Sequence, residues 1–121
     1  MDTQLVMEAS ELERYATELE QHQEYLEKQT QELEKFAEDM ITLGKNTEKK
    51  IHTPLGKGIY LPSEITGKDL LVEVGSGVLV KKTPDQLLDV LKEQITRLKD
   101  SKTQLSMQLS MVNEKLHAIM A

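Results

Sequence analysis

The stretch PLGKGIYLP, Pro54 to Pro62, stands near the middle of a 121-residue chain whose two ends both read as long helix. Here the helical spacing stops. IHTPLG and KGIYLP are short runs around Leu55-Gly56, and further on DLLVEVG and GVLVKKT flank Gly75-Ser76-Gly77, which supplies the permissive backbone of a hairpin turn. In this second pair Leu70, Val72 and Val74 alternate with Leu71 and Glu73, and Val78 and Val80 alternate with Leu79 and Lys81. Residues 45–82 therefore read as two β-hairpins. Two isolated hairpins are marginal in water because neither has a second layer over its apolar face. The sheet is expected to be completed by other subunits, with Ile59, Leu61, Leu70, Val72, Val74, Val78 and Val80 as the oligomerisation residues.

On the N-terminal side, residues 1–44 place Leu5, Leu12, Leu19, Leu26, Leu33 and Met40 at intervals of seven, one apolar stripe of a coiled-coil helix. Its companion row is uneven. Ala9, Tyr15, Ala16, Phe36, Ala37 and Leu43 serve at the ends, but the middle offers only His22, Gln23, Gln29 and Thr30. Gly44 is a natural stop. On the C-terminal side, residues 83–121 open with TPDQ: Thr83 can cap, Pro84 suits the first helical position and Gln86 can reach back. Leu88, Leu91, Ile95, Leu98, Lys102, Leu105, Leu109, Val112, Leu116 and Ile119 then alternate steps of three and four, a seam in which only Lys102 is polar.

Matched helices joined by a short insert favour an antiparallel return. In that arrangement Lys102 falls near Tyr25, within the polar interval of the first helix, and its ammonium is expected to reach water, Glu24 or Glu27. This height reads as a flexible point of the arm. The fold class expected is α+β, mainly α: an antiparallel two-helix coiled coil with two β-hairpins inserted between the helices.

Composition agrees. With 38% hydrophobic, 3% aromatic and 30% charged residues, the chain has thin material for a compact core and the make-up of long exposed helices. Residues 1–44 carry twelve acidic and three basic side chains, residues 45–82 four and seven, and residues 83–121 five of each. An acidic first helix argues against nucleic acid, whose phosphates need a dense cationic face. There is no cysteine, so thiolate metal sites and cysteine nucleophiles are excluded. No apolar run of membrane-spanning length occurs, and MDTQLVMEASELE has neither the basic start nor the apolar stretch of a signal peptide, so a cytoplasmic protein without membrane partners is expected.

Chemistry-bearing motifs are sparse. His22, His52 and His117 fall on different elements without metal-ligand spacing. GKGIYLPSEITGKD is not a phosphate loop: Pro62 stands where a glycine should precede Gly67-Lys68, and Asp69 stands where Ser or Thr is required. Neither an enzyme nor a cofactor nor a metal is expected. Methionine is more informative, because Met1, Met7, Met107, Met111 and Met120 lie close to the chain ends and only Met40 does not. An antiparallel hairpin gathers them with Leu5, Val6, Leu109, Val112, Leu116 and Ile119 at one tip, and flexible thioethers suit differently shaped apolar partners. Leu5, Val6, Met7, Met107, Met111, Val112, Leu116, Ile119 and Met120 are the candidate binding residues.

Helix, two hairpins, helix, with PLGKGIYLP followed by LLVEVGSGVLVKKTPDQ, closely resembles the alpha class of prefoldin. That family carries a similar Pro-Leu-Gly turn and a Val-x-x-Gly-x-Gly hairpin ending in a Lys-Thr helix start. The resemblance covers essentially the whole chain as a single prefoldin-like domain, and residues 53–84 are its specific part. Two hairpins rather than one separate the alpha from the beta class. The resemblance implies a hetero-hexamer of two alpha-class and four beta-class chains, hairpins joined in a double β-barrel with six coiled-coil arms. It also implies capture of unfolded polypeptides at the tips without ATP and delivery to a group II chaperonin, in an archaeal setting. A fixed-partner structural scaffold, including a filament-forming relative, is the alternative.

Overall fold

The computed structural model describes Asp2–Ala121. Its elements run α1 (Thr3–Lys45), β1 (Lys50–Gly56), β2 (Ile59–Glu64), β3 (Leu70–Gly75), β4 (Val78–Lys82) and α2 (Pro84–Met120). These are the two long helices and paired hairpins expected from the sequence. Asp2 starts α1, its carboxylate accepting the backbone N–H of Gln4 (3.1 Å). The helix passes through Gly44 and stops at Lys45. At the head of α2 the capping box closes in both directions: Gln86 N–H donates to Thr83 Oγ1 (3.2 Å) and Thr83 N–H to Gln86 Oε1 (3.1 Å).

The chain divides into two compact units, residues 1–34 with 93–121, and residues 35–92. In the first, α1 and α2 pair antiparallel. Ala16, Leu19, Leu26, Leu105 and Val112 form its buried core, with Leu12, Leu98, Leu109 and Leu116 packed against it. The α2 seam emerges as expected: within this unit Ile95, Leu98, Lys102, Leu105, Leu109, Val112, Leu116 and Ile119 are its sheltered positions. The companion row of α1 is a subset of the residues expected. Ala9, Ala16, Gln23 and Thr30 turn inward, while Tyr15 stays exposed. Thr30 is buried and satisfies its own hydroxyl by donating to the Leu26 carbonyl (2.7 Å).

Across the polar middle of this seam, Gln23 Nε2 donates to Ser106 Oγ (2.6 Å), Lys102 pairs with Glu27, and Lys99 pairs with Glu34 (3.0 Å). Of the two glutamates expected, Glu27 rather than Glu24 thus takes the seam lysine.

In the second unit β1 pairs antiparallel with β2 and β3 with β4, as separate two-stranded sheets. Each turn has two residues. Lys57-Gly58 and Ser76-Gly77 all have positive φ, the conformation whose twist matches a right-handed strand pair. The first turn lies two residues beyond Leu55-Gly56, because register shifts at Gly56 and at Gly75 add a bulge before each turn. Pro54 and Pro62 are tolerated because every strand of a two-stranded sheet is an edge. Leu91 is buried in this unit, and Ala37, Met40 and Leu88 are half-buried, whereas Phe36 and Leu43 are exposed.

Candidate functional site

Two sets of uncovered apolar side chains stand out, one in each unit. In the helical unit, antiparallel pairing puts the start of α1 and the end of α2 at the same extremity, and a two-helix interface shelters only one stripe of each helix. Met7, Met107, Met111 and Met120, all off the seam, are each about 60% exposed. Leu5 and Val6 are exposed beside them in sequence, and Leu116 and Ile119 are half-buried. Val112 is different: at 6% exposure it belongs to the buried core and presents no surface. Met1 lies outside the described residues.

In the hairpin unit, direct cross-strand partners share a face, so Leu70 and Val72 stand with Val80 and Lys82, and Leu71 and Glu73 with Leu79 and Lys81. Ile59, Leu61, Val74, Val78 and Val80 are exposed and Leu70 and Val72 half-buried. In the first hairpin Ile51, Thr53, Leu61 and Ser63 share a face, where the Thr53 and Ser63 hydroxyls bond each other (2.7 Å). A cavity of about 820 Å³ in the same unit is lined by Leu43, Ile51, Ile65 and Leu70 among polar residues including Lys68 and Asp69. No histidine lines it.

The three histidines are dispersed on α1, β1 and α2. Among the described residues no group of three or more His, Cys, Asp or Glu is placed to hold a metal ion, and no helix is long and apolar enough to cross a membrane. On the surface, a hydrogen bond and ion pair from Lys35 to Asp39 (3.0 Å) raises the lysine above its ordinary pKa. What the geometry offers is exposed apolar surface.

The Prefoldin family model, for prefoldin subunits, matches residues 12–121. The chain belongs to the prefoldin family. This prefoldin chain is 25% identical over 96 residues, 78% of its length, to the prefoldin subunit alpha of Nitrosopumilus maritimus (strain SCM1). It spans 66% of that protein's length. In fold it is similar to a chain of the filamentous PFD from Methanocaldococcus jannaschii solved by cryo-electron microscopy. The TM-score is 0.75, with 98% of each chain covered at 14% identity.

Sequence reasoning reached the exposed methionines and the hairpin residues. It named the inward residues of the α1 companion row but did not separate them from Tyr15, Phe36, Leu43 and His22, which are exposed. The recurrence of Ala9, Ala16, Gln23, Thr30 and Ala37 at intervals of seven was the signal that could have separated them.

Proposed function

We propose that the chain is an alpha-class prefoldin subunit, an ATP-independent molecular chaperone component that captures unfolded polypeptides at coiled-coil tips and delivers them to a group II chaperonin. Residues 45–82 form the oligomerisation platform and residues 1–44 and 83–121 form the arm. Beta-class subunits complete a hexamer of two alpha and four beta chains in the cytoplasm. The observation that carries the reading is the exposure of Met7, Met107, Met111 and Met120 off the seam, where no helix contact requires apolar side chains, together with the exposure of Val6 and of Leu5 at the end of the α1 stripe. Met adapts to partners of different shape, as a surface serving many clients must. The capture residues are therefore Leu5, Val6, Met7, Met107, Met111, Leu116, Ile119 and Met120.

The test mixes the chain with a beta-class subunit and several unrelated denatured proteins. Suppressed aggregation of many clients, lost on deleting residues 107–121 while the assembly keeps its number of subunits, is the expected result. One stoichiometric partner and no holding activity would refute it. A second reading rests on the likeness in fold to a filamentous PFD: the hairpins of identical chains join end to end. Electron microscopy of the chain alone separates the two, since filaments form only on that reading.

A further inference from the structure

From the central polar layer we infer that Lys102 is the residue that makes α2 choose α1 of its own chain over α2 of a second copy. The other nine seam positions of α2 are aliphatic. Such a seam is self-complementary, and charge does little to oppose self-pairing because residues 83–121 carry five acidic and five basic side chains. Helix α1 is protected differently, by Glu13, Glu20, Glu27 and Glu34, which recur every seven residues along one flank of its seam.

Lys102 occupies the midpoint of α2, with Pro84 eighteen residues before it and Met120 eighteen after. A second α2 laid alongside in full register, parallel or antiparallel, therefore brings two Lys102 side chains to the same height. Like charges in a partly desolvated seam repel, whereas α1 meets the same ammonium with Glu27, flanked on α1 by Thr30 and by Gln23, whose amide donates to Ser106 of α2. A polar residue at one core position excludes wrong partners while weakening the right pairing somewhat. The layer that reads from sequence as a weak point is on this account what keeps the arm intramolecular.

The test uses the full chain, which has no cysteine, with a single spin label at Ser101→Cys, an exposed position beside the midpoint. Homotypic α2 pairing in either orientation brings two labels to within about 20 Å, the span of two adjacent helices plus label arms. With Lys102 present, pulsed dipolar spectroscopy is expected to show no such intermolecular distance. Lys102→Leu is expected to produce one that grows with protein concentration, with helical circular dichroism retained. The charge-swapped pair Lys102→Glu with Glu27→Lys is expected to abolish it again. Absence of the short distance in Lys102→Leu, or its presence in the charge-swapped pair, would overturn the inference.

Discussion

Replacing Leu105 with Ala tests the pairing of the helices directly. Leu105 is 8% exposed and lies in the core cluster with Leu26 and Val112. The substitution removes three carbons from an almost wholly sheltered side chain, which at about 0.8 kcal/mol per buried carbon gives about 2.4 kcal/mol. A cavity penalty would normally add to this, but a two-helix seam open on both flanks lets side chains and water relax into the gap. The expected cost therefore lies at the low end of the core range, about 2–3 kcal/mol. For a chain of this size that corresponds to a fall in Tm of about 10 °C.

The assay is thermal and urea unfolding followed at 222 nm, with Met107→Ala as the internal control. Met107 is two residues away on the same helix and 63% exposed, so its truncation is expected to change stability by no more than about 0.5 kcal/mol. Equal effects of the two substitutions would refute the reasoning. They would mean that the α2 face carrying Leu105 is not the one held against α1.

Thr83→Ala removes the side-chain half of the α2 capping box and is expected to cost about 1 kcal/mol, read as a lower Tm. Lys35 is expected to titrate above an ordinary lysine, followed by NMR at its Cε, and to return to the ordinary range in Asp39→Asn. Because its folded pKa is the raised one, whatever this pair contributes is complete below the ordinary lysine pKa and is lost as pH climbs through the raised value, so stability near neutral pH should not depend on pH through it. On the proposed reading, Val72→Asp and Val80→Asp, a directly opposed pair, are each expected to lower the mass of the complex formed with beta-class chains, measured by native mass spectrometry.

The α2 seam was legible because nine of its ten positions are aliphatic and the spacing never slips, so periodicity alone identifies the buried face. The α1 seam was half hidden. Its inward row of Ala9, Ala16, Gln23, Thr30 and Ala37 is only weakly apolar, while Tyr15 and Phe36, the more hydrophobic neighbours, lie outside it and remain exposed. Hydrophobicity is a poor guide where the inward row is made of alanines and polar residues that bond within or across the seam. Likewise the first hairpin's turn was misplaced by two residues because Pro-Leu-Gly looks like a turn. The repeated Gly-x-Gly, Gly56-Lys57-Gly58 and Gly75-Ser76-Gly77, marks a bulge and a two-residue turn in both hairpins. The ion pair of Lys102 was within reach because helical register brings Glu27 to its height, but no sequence pattern distinguishes it from Glu24 without the rotation of α1 about its axis.

The two hairpins also differ in what they demand of a partner. In the first, one face carries Ile51 and Leu61 with the Thr53 and Ser63 hydroxyls, and the other carries Lys50, His52, Glu64, the two prolines and Tyr60. One covering layer satisfies it. The second has aliphatic residues on both faces, Leu70, Val72 and Val80 on one and Leu71 and Leu79 on the other, so it reads like a strand pair meant to be covered on both sides. On the proposed reading this hairpin is the one enclosed by the assembly. Leu71, 61% exposed in the single chain, should then be as intolerant of charge as Val72 on the opposite face. Leu71→Asp is expected to disrupt the complex as fully as Val72→Asp, while His52→Asp on the first hairpin leaves it intact. If Leu71→Asp assembles normally, only one face of the second hairpin meets a partner, and the enclosed sheet gives way to a simple face-to-face contact.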